Sequence, residues 1–299
     1  NEAGSQTITA NQVVEATAGQ APTERIDIYP RDAVTWALYY PPLVEAAVLS
    51  PENKLDPNNP LHEALRFYAE GDSLKALAFI DNIPGELNIS QHLAAAGINL
   101  SVGDIEAAEQ HLHKLLQLNP NNTDGLALQT IIAVTQNDLK TADSVSSHAL
   151  SINPDSAMAL LAQSYLDQAH FDIDAALKHS EQAAEQAPDS GTALARLAEV
   201  QLMHGLTAKA QTSAHKAALK SPHDAHIQSV FGFASLRSTD LKAAETAFKR
   251  AQNLNSAAPL PHFGLGLIKI RRNQLREGRE SLEHAALLDP SNALLRSYL

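Results

Sequence analysis

Five prolines keep a fixed beat in this chain. Pro120, Pro154, Pro188 and Pro222 stand 34 residues apart, and Pro290 falls two beats later, with Ser256 in the skipped place. A chain that resembles itself at about this period builds one small unit many times and stacks the copies. A single unit cannot bury its own apolar face, so its neighbours must cover it. Proline cannot donate to a continuing helix or fit inside one. Each beat is therefore expected to close the second helix of a two-helix unit.

With the proline at position 32, the blocks are 89–122, 123–156, 157–190, 191–224, 225–258 and 259–292. Position 8 is small or short throughout: Ala96, Thr130, Ser164, Ala198, Gly232 and Gly266. Position 20 holds Ala108, Ala142, Ala176, Ala210, Ala244 and Gly278, and position 27 holds Leu115 followed by five alanines. Small residues in these columns let the first helix (helix A) approach the second (helix B). Position 15 holds Gly103, Asn137, Phe171, Gly205, Thr239 and Asn273, mostly residues suited to ending a helix. A further block lies upstream at 57–88, two residues short and ended early by Pro84. At Ser256 the proline's role is expected to pass to Ala257-Ala258-Pro259, making the turn into the last block different.

These columns resemble the tetratricopeptide repeat family. The resemblance implies an all-α fold, an αα-superhelix of about seven helix pairs over residues 57–299, with a partial helix at 293–299. The sequence departs from the family at position 4, where a large aromatic gives way to Leu126, Leu160 and Leu194, or to His92 and His262. Position 11 is often polar, as at Asn99, Asp167, Gln201 and Ser235. Leu294, Leu295 and Leu299 would give the last helix an apolar face without a mate. Both ends of the sequence, at Asn1-Glu2-Ala3 and in the apolar run after Ala293, are expected to be cuts in something longer.

Residues 1–56 read differently. Runs at 6–9, 12–16 and 24–29 are rich in β-formers, with Gly19 and Pro22 between them. Pro30-Arg31-Asp32 then opens a short aromatic-rich helix carrying Trp36, Leu38, Tyr39 and Tyr40, which Pro41-Pro42 stops. Ser50-Pro51 and Asp56-Pro57-Asn58-Asn59-Pro60 form a turn-rich linker. Gly19-Gln20, Tyr29-Pro30-Arg31-Asp32-Ala33-Val34 and Trp36 to Pro42 resemble the tail of a FecR-type domain, a β-rich family of bacterial envelope proteins and regulators. That resemblance implies a periplasmic address in the bacterial cell envelope.

Net charge is −12, which disfavours binding a nucleic-acid backbone over the whole surface. The charge is uneven. Residues 225–299 carry 10 Lys+Arg against 6 Asp+Glu, whereas residues 1–224 carry 12 against 28. The absence of cysteine excludes disulfides, thiolate zinc sites and cysteine nucleophiles. No apolar run reaches the roughly 20 residues a membrane-spanning helix needs.

In the family, positions 2, 5, 9, 12 and 13 of helix A face the concave side, which the resemblance makes a binding groove. Its expected lining is Leu93, Ile131, Leu161, Tyr165, Leu202, Phe233, Phe263 and Leu267, with Arg237 and Arg271 at position 13 to hold an acidic group. The Lys and Asn set with which some relatives clamp a peptide carboxylate is absent from positions 5 and 9. An apolar segment, extended or helical, fits this row better. The nearest candidate occupant is the Trp36–Tyr40 segment, which would make a homodimer if exchanged between two molecules.

No HExxH, phosphate-binding glycine loop, GxSxG or nucleophile–base constellation is present. His111 and His113 are two residues apart, which puts their rings on different helix faces, and His223 and His226 share a turn between repeats. No catalytic residue, metal ligand or cofactor is assigned. The first reading is a non-enzymatic protein–protein interaction scaffold that binds an apolar peptide or segment in the envelope. The alternatives are an assembly or spacer part of an exopolysaccharide or outer-membrane export system, and a regulatory arm of an enzyme whose catalytic domain lies elsewhere.

Overall fold

The computed structural model describes residues 13–15, 23–25, 60–70, 72–290 and 295. Strands β1 (Val13–Glu15) and β2 (Thr23–Arg25) pair antiparallel, with Val13 opposite Arg25 and Glu15 opposite Thr23. The aromatic segment with Trp36, Leu38, Tyr39 and Tyr40, the linker and most of the FecR-like stretch lie outside the described residues.

The remaining elements are helices in pairs. They are α1 (Pro60–Ala69) and α2 (Ser73–Asp81), α3 (Ile89–Ser101) and α4 (Ile105–Leu118), α5 (Thr123–Thr135) and α6 (Leu139–Ile152), and α7 (Ala157–Ala169) and α8 (Ile173–Gln186). There follow α9 (Gly191–Met203) and α10 (Thr207–Lys220), α11 (Ala225–Arg237) and α12 (Leu241–Leu254), and α13 (Pro259–Arg271) and α14 (Leu275–Leu288). The odd-numbered members are the inner helices. α3 buries 10 of its 13 residues, whereas α4 buries only the stripe Ala108, Leu112 and Leu115. Such a single stripe at helical spacing marks an outer helix.

Side-chain caps set the register. Asp104, Asp138, Asp172 and Asp240, at position 16, accept a hydrogen bond from the third backbone N–H of the following helix B. Asn88, Asn122, Ser156, Ser190 and Asp224, at position 34, do the same for helix A. Between the helices of a pair, position 15 takes left-handed backbone in all six full repeats: Gly103, Asn137, Phe171, Gly205, Thr239 and Asn273 have φ from 58° to 81°. That conformation ends helix A and turns the chain back.

The turn after Leu254 corrects one expectation. Its backbone does not differ for want of a proline, although the turn does differ at its end, where Ala258 gives α13 no side-chain cap and Pro259 opens the helix. Asn255 has φ −145° and ψ 97°, close to Asn119 at −144° and 93° and Asn153 at −139° and 96°. The physical reason is a side chain. Asn119, Asn153 and Asn255 each accept a 3.1 Å hydrogen bond from the backbone N–H two residues on. This Asx turn ends helix B two residues before position 32, so the residue there need not be proline.

Neighbouring repeats meet at one slot, formed by positions 8 and 24 of one repeat and position 6 of the next. Its occupants vary. Between 123–156 and 157–190 they are Thr130, Ser146 and Ala162, and α5 and α7 pack more intimately than other successive inner helices. Between 225–258 and 259–292 they are Gly232, Phe248 and Gly264. Phe248 is fully buried, and a Cβ on either glycine would come within 2.5 Å of its ring. Between 157–190 and 191–224 they are Ser164, Ser180 and Arg196.

A polar ladder runs along the outer edge, from position 14 of one repeat to position 21 of the repeat before. Its rungs are Gln136 to Glu109 (2.8 Å), His170 to Asp143 (2.9 Å), Ser238 to Gln211 (3.1 Å) and Arg272 to Glu245 (2.7 Å). One rung is missing. Leu177 stands where the partner of His204 would be, and His204 reaches Asp174 instead, at 2.8 Å.

Candidate functional site

The row of inner-helix side chains expected to line a groove divides in two. Leu93, Ile131, Leu161 and Tyr165 belong to one core cluster shared by α3 to α9, and none is more than 5% exposed. Phe263 is also buried, against Leu282, Ala285 and Leu295. These five fill the space between helices and offer no open surface. Leu202, Phe233 and Leu267 are half-buried, and Ile270, Arg237 and Arg271 are exposed. Among the described residues of the expected lining, accessible apolar surface lies on α9, α11 and α13.

Phe233 is the centre of that row. Its ring lies 4.9 Å from Phe248, edge to face, and 6.1 Å from Phe263. This geometry suits the quadrupoles of the rings, and it holds Phe233 with one side open. Leu267 packs beside it. Arg271 donates from Nη1 to the Leu236 carbonyl at 3.0 Å. A cation at the C-terminal end of α11 complements that helix's dipole, and the bond fixes where the guanidinium sits. Arg237, in the preceding turn of the array, is exposed.

Next to this row lies a buried polar cluster that sequence reasoning missed. Arg196 is 1% exposed. Its Nε donates to the Ser164 hydroxyl (3.0 Å) and its Nη2 to the Ser164 carbonyl (2.9 Å). The Ser164 hydroxyl in turn donates to the Ala176 carbonyl. The guanidinium lies over the Tyr165 ring, 3.8 Å from its centroid, a cation–π contact strengthened by exclusion of water. Glu199 supplies the countercharge. It accepts from His226 Nε2 at 2.5 Å and lies 3.4 Å from Arg196 Nη1. Burial pushes the Glu199 carboxyl up, but the charges and hydrogen bonds of His226 and Arg196 together outweigh it and hold the group below its ordinary range. The signal was available in one column. Position 6 reads Ala94, Leu128, Ala162, Arg196, Val230 and Gly264, and only one member carries charge.

Polar residues at position 11 also have partners. Asp167 pairs with His179 (2.5 Å) and accepts from Gln163 (2.7 Å), and Gln163 accepts from Ser146 (2.6 Å). Gln201 accepts from Ser213, and Ser235 receives a bond from Gln211. All but the Gln163–Asp167 bond, which lies within α7, are interhelical ties. His111 meets His92, Nδ1 to Nδ1 at 3.0 Å, while His113 bonds to Gln117. Among the described residues there is no group of three or more His, Cys, Asp or Glu side chains placed to hold a metal ion. Nor does any described helix have the length and apolarity to cross a membrane.

No protein-family model and no curated relative matches this chain. Solved structures do. The chain is similar to one in the crystal structure of the APC/C hetero-tetramer Cut9-Hcn1, with TM-score 0.62 and 16% identity over 88% of this chain and 53% of that one. It is similar to PilW, described as a widely conserved type IV pilus biogenesis factor, with TM-score 0.53 and 16% identity over 68% and 94%. A third likeness is to pilF of Pseudomonas aeruginosa, with TM-score 0.50 and 16% identity over 58% and 79%. At such identities the likeness speaks for the fold. Stacked helix pairs at a 34-residue period, joined by left-handed turns, make this chain an all-α superhelix of tetratricopeptide type.

Proposed function

We propose that this chain is a non-enzymatic protein-interaction scaffold that takes an apolar segment along α9, α11 and α13. The observation that carries this reading is the half-open row Leu202, Phe233 and Leu267, continued by Ile270 and flanked by Arg237 and Arg271. The equivalent side chains of the earlier repeats are closed within the core. An anchor burying itself between Phe233 and Leu267 gains from desolvation without needing a paired charge. An acidic residue of the bound segment would meet Arg237 or Arg271.

The Cut9-Hcn1 and PilW likenesses favour the same class, since one belongs to a multi-protein assembly and the other is described as an assembly factor. The PilW description also favours an envelope setting, which the FecR-like residues near the N-terminus would share.

Display selection of random peptides on the full chain tests the reading. Enriched sequences are expected to carry apolar anchors with a nearby acid. Their affinity should fall about tenfold or more in the Phe233→Ala and Leu267→Ala variants. Enriched peptides that bind these variants as well as the parent would remove the groove from the account.

A further inference from the structure

A second surface is unexplained by the groove. At position 15, where the other full repeats have Gly, Asn or Thr, the α7–α8 turn has Phe171, with φ 62° and 89% of its surface exposed. Left-handed backbone disfavours a bulky side chain, and this ring recovers little by burial within its own chain. Beside it the outer ladder lacks its rung at Leu177. Near Phe171 lies an open notch of about 530 Å3 lined by His170, Phe171, Asp174, Met203 and His204. Met203 is 47% exposed. A strained, solvent-facing aromatic over a notch needs an explanation outside the folding of this chain.

The charge along the same edge supplies one. Over positions 13 to 21, repeats 123–190 carry three net negative charges, from Asp138, Asp143, Asp172 and Asp174 less Lys140. Over the same positions, repeats 225–292 carry three net positive charges, all of them in 259–292, where Arg271, Arg272, Arg276 and Arg279 outnumber Glu277; in 225–258 Arg237 and Lys242 are balanced by Asp240 and Glu245. Asp174, Arg237 and Arg276 are all exposed. Between the two patches lies the turn of repeat 191–224. There Gly205, at φ 81°, leaves room in which an added Cβ would meet nothing within 4 Å.

We propose that this edge is an interface with a second copy of the chain, the two arrays running antiparallel about a two-fold axis at the Met203–Gly205 turn. The axis carries the acidic, aromatic patch of each molecule onto the basic patch of the other. Phe171 and Asp174 face Arg237 of the partner subunit, and Asp138 and Asp143 face Arg271 of the partner subunit. Each contact is made twice, so the pair closes on itself and does not grow into a fibre. A single-sign partner would match one patch and repel the other. Opposite charge sums on the two sides of an open turn are matched by the molecule itself. Arg237 and Arg271 also flank the groove, but its apolar anchors Leu202, Phe233 and Leu267 take no part in these contacts, so Phe171→Asp tests the interface alone and Phe233→Ala the groove alone.

Sedimentation velocity of the full chain over a concentration series tests this at about 50 mM and about 500 mM salt, since screening weakens exposed charge pairs. A dimer is expected at the lower salt, with dissociation at the higher. Phe171→Asp should raise the dissociation constant at least about tenfold, with an unchanged helical circular dichroism spectrum. Asp174→Arg and Arg237→Asp should each weaken the dimer, and the double variant should recover most of the loss. A monomer up to about 100 µM at low salt would overturn the proposal. So would a dimer indifferent to Phe171→Asp and to both charge reversals.

Discussion

The junction at Arg196 and the junction at Phe248 solve one packing problem in opposite ways. At both, positions 8 and 24 of one repeat meet position 6 of the next. At the later junction the volume comes from the outer helix. Phe248 fills the slot, and Gly232 and Gly264 yield to it. At the earlier junction the outer helix offers only Ser180, and Arg196 of the following inner helix fills the space. The first is dry and apolar. The second brings a charge into the interior and must satisfy it with Ser164, Tyr165 and Glu199. A repeat fold thus specifies how much volume a joint needs, but leaves open which helix supplies it and how polar it is.

Phe248→Ala is expected to break the apolar joint, with a loss of about 3–5 kcal/mol in urea unfolding followed by circular dichroism. A loss under about 1 kcal/mol would mean the slot collapses around the cavity. Arg196→Ala should cost about 3 kcal/mol, much of it from Glu199 losing the guanidinium beside it. Adding Glu199→Gln should recover part of that loss; a pair of strictly additive effects would mean the two side chains are not coupled.

Gly264→Ala should cost about 1–3 kcal/mol through overpacking against Phe248. In a Phe248→Leu background the penalty should shrink, and a penalty of unchanged size would place the strain elsewhere. Removing a cap acts on one helix alone: Asp240→Ala is expected to cost about 1 kcal/mol, seen as faster amide exchange in the first turn of α12.

The smallest effect distinguishes the joints by pH. Burial holds His262, in the last full repeat, below the ordinary histidine range, and does the same for His92 and His111 in the repeat from 89. The unfolded chain takes up these protons first. Their contribution to stability is therefore complete above about pH 6.5 and declines as the pH falls below it. His284 and Lys269 face His262, and Lys114 and Asp81 face His111. Glu199 is shifted downward, so the stability it contributes is present above the ordinary carboxylate value and is lost only as the pH falls through its lowered one. Urea midpoints should begin to fall below about pH 6.5, and His262→Gln should flatten part of that slope. Midpoints constant from pH 7.5 to about 5 would contradict the sign.

The fold was legible because its determinants are periodic. Small residues at positions 8 and 20, and turn formers at position 15, recur at a spacing only a helix-pair array explains. The Asx turn at Asn255 was hidden by the absent proline, which is the more visible signal but does not set the turn. The groove was only partly legible. An apolar residue at position 5, 9 or 12 looks the same in sequence whether it faces a neighbour, like Ile131, or an open surface, like Leu267. For Ile131 the closure comes with the close approach of α5 and α7. The Arg196 cluster could not be assembled from local pattern, because Ser164 lies 32 residues before Arg196 and His226 lies 27 after Glu199.

The missing rung at Leu177 has a mechanical consequence. Stacked units joined in series share a load equally, but deform most where the joint is most compliant. Every intact rung ties two neighbouring repeats at the outer edge, far from the inner helices, where it has the longest lever arm against bending. Between 157–190 and 191–224 that tie is displaced, running from His204 to Asp174, and α7 and α9 touch little, so Arg196 acts there as a pin on a short arm. Tension applied to the two ends of this array would be taken up as rotation about that pin.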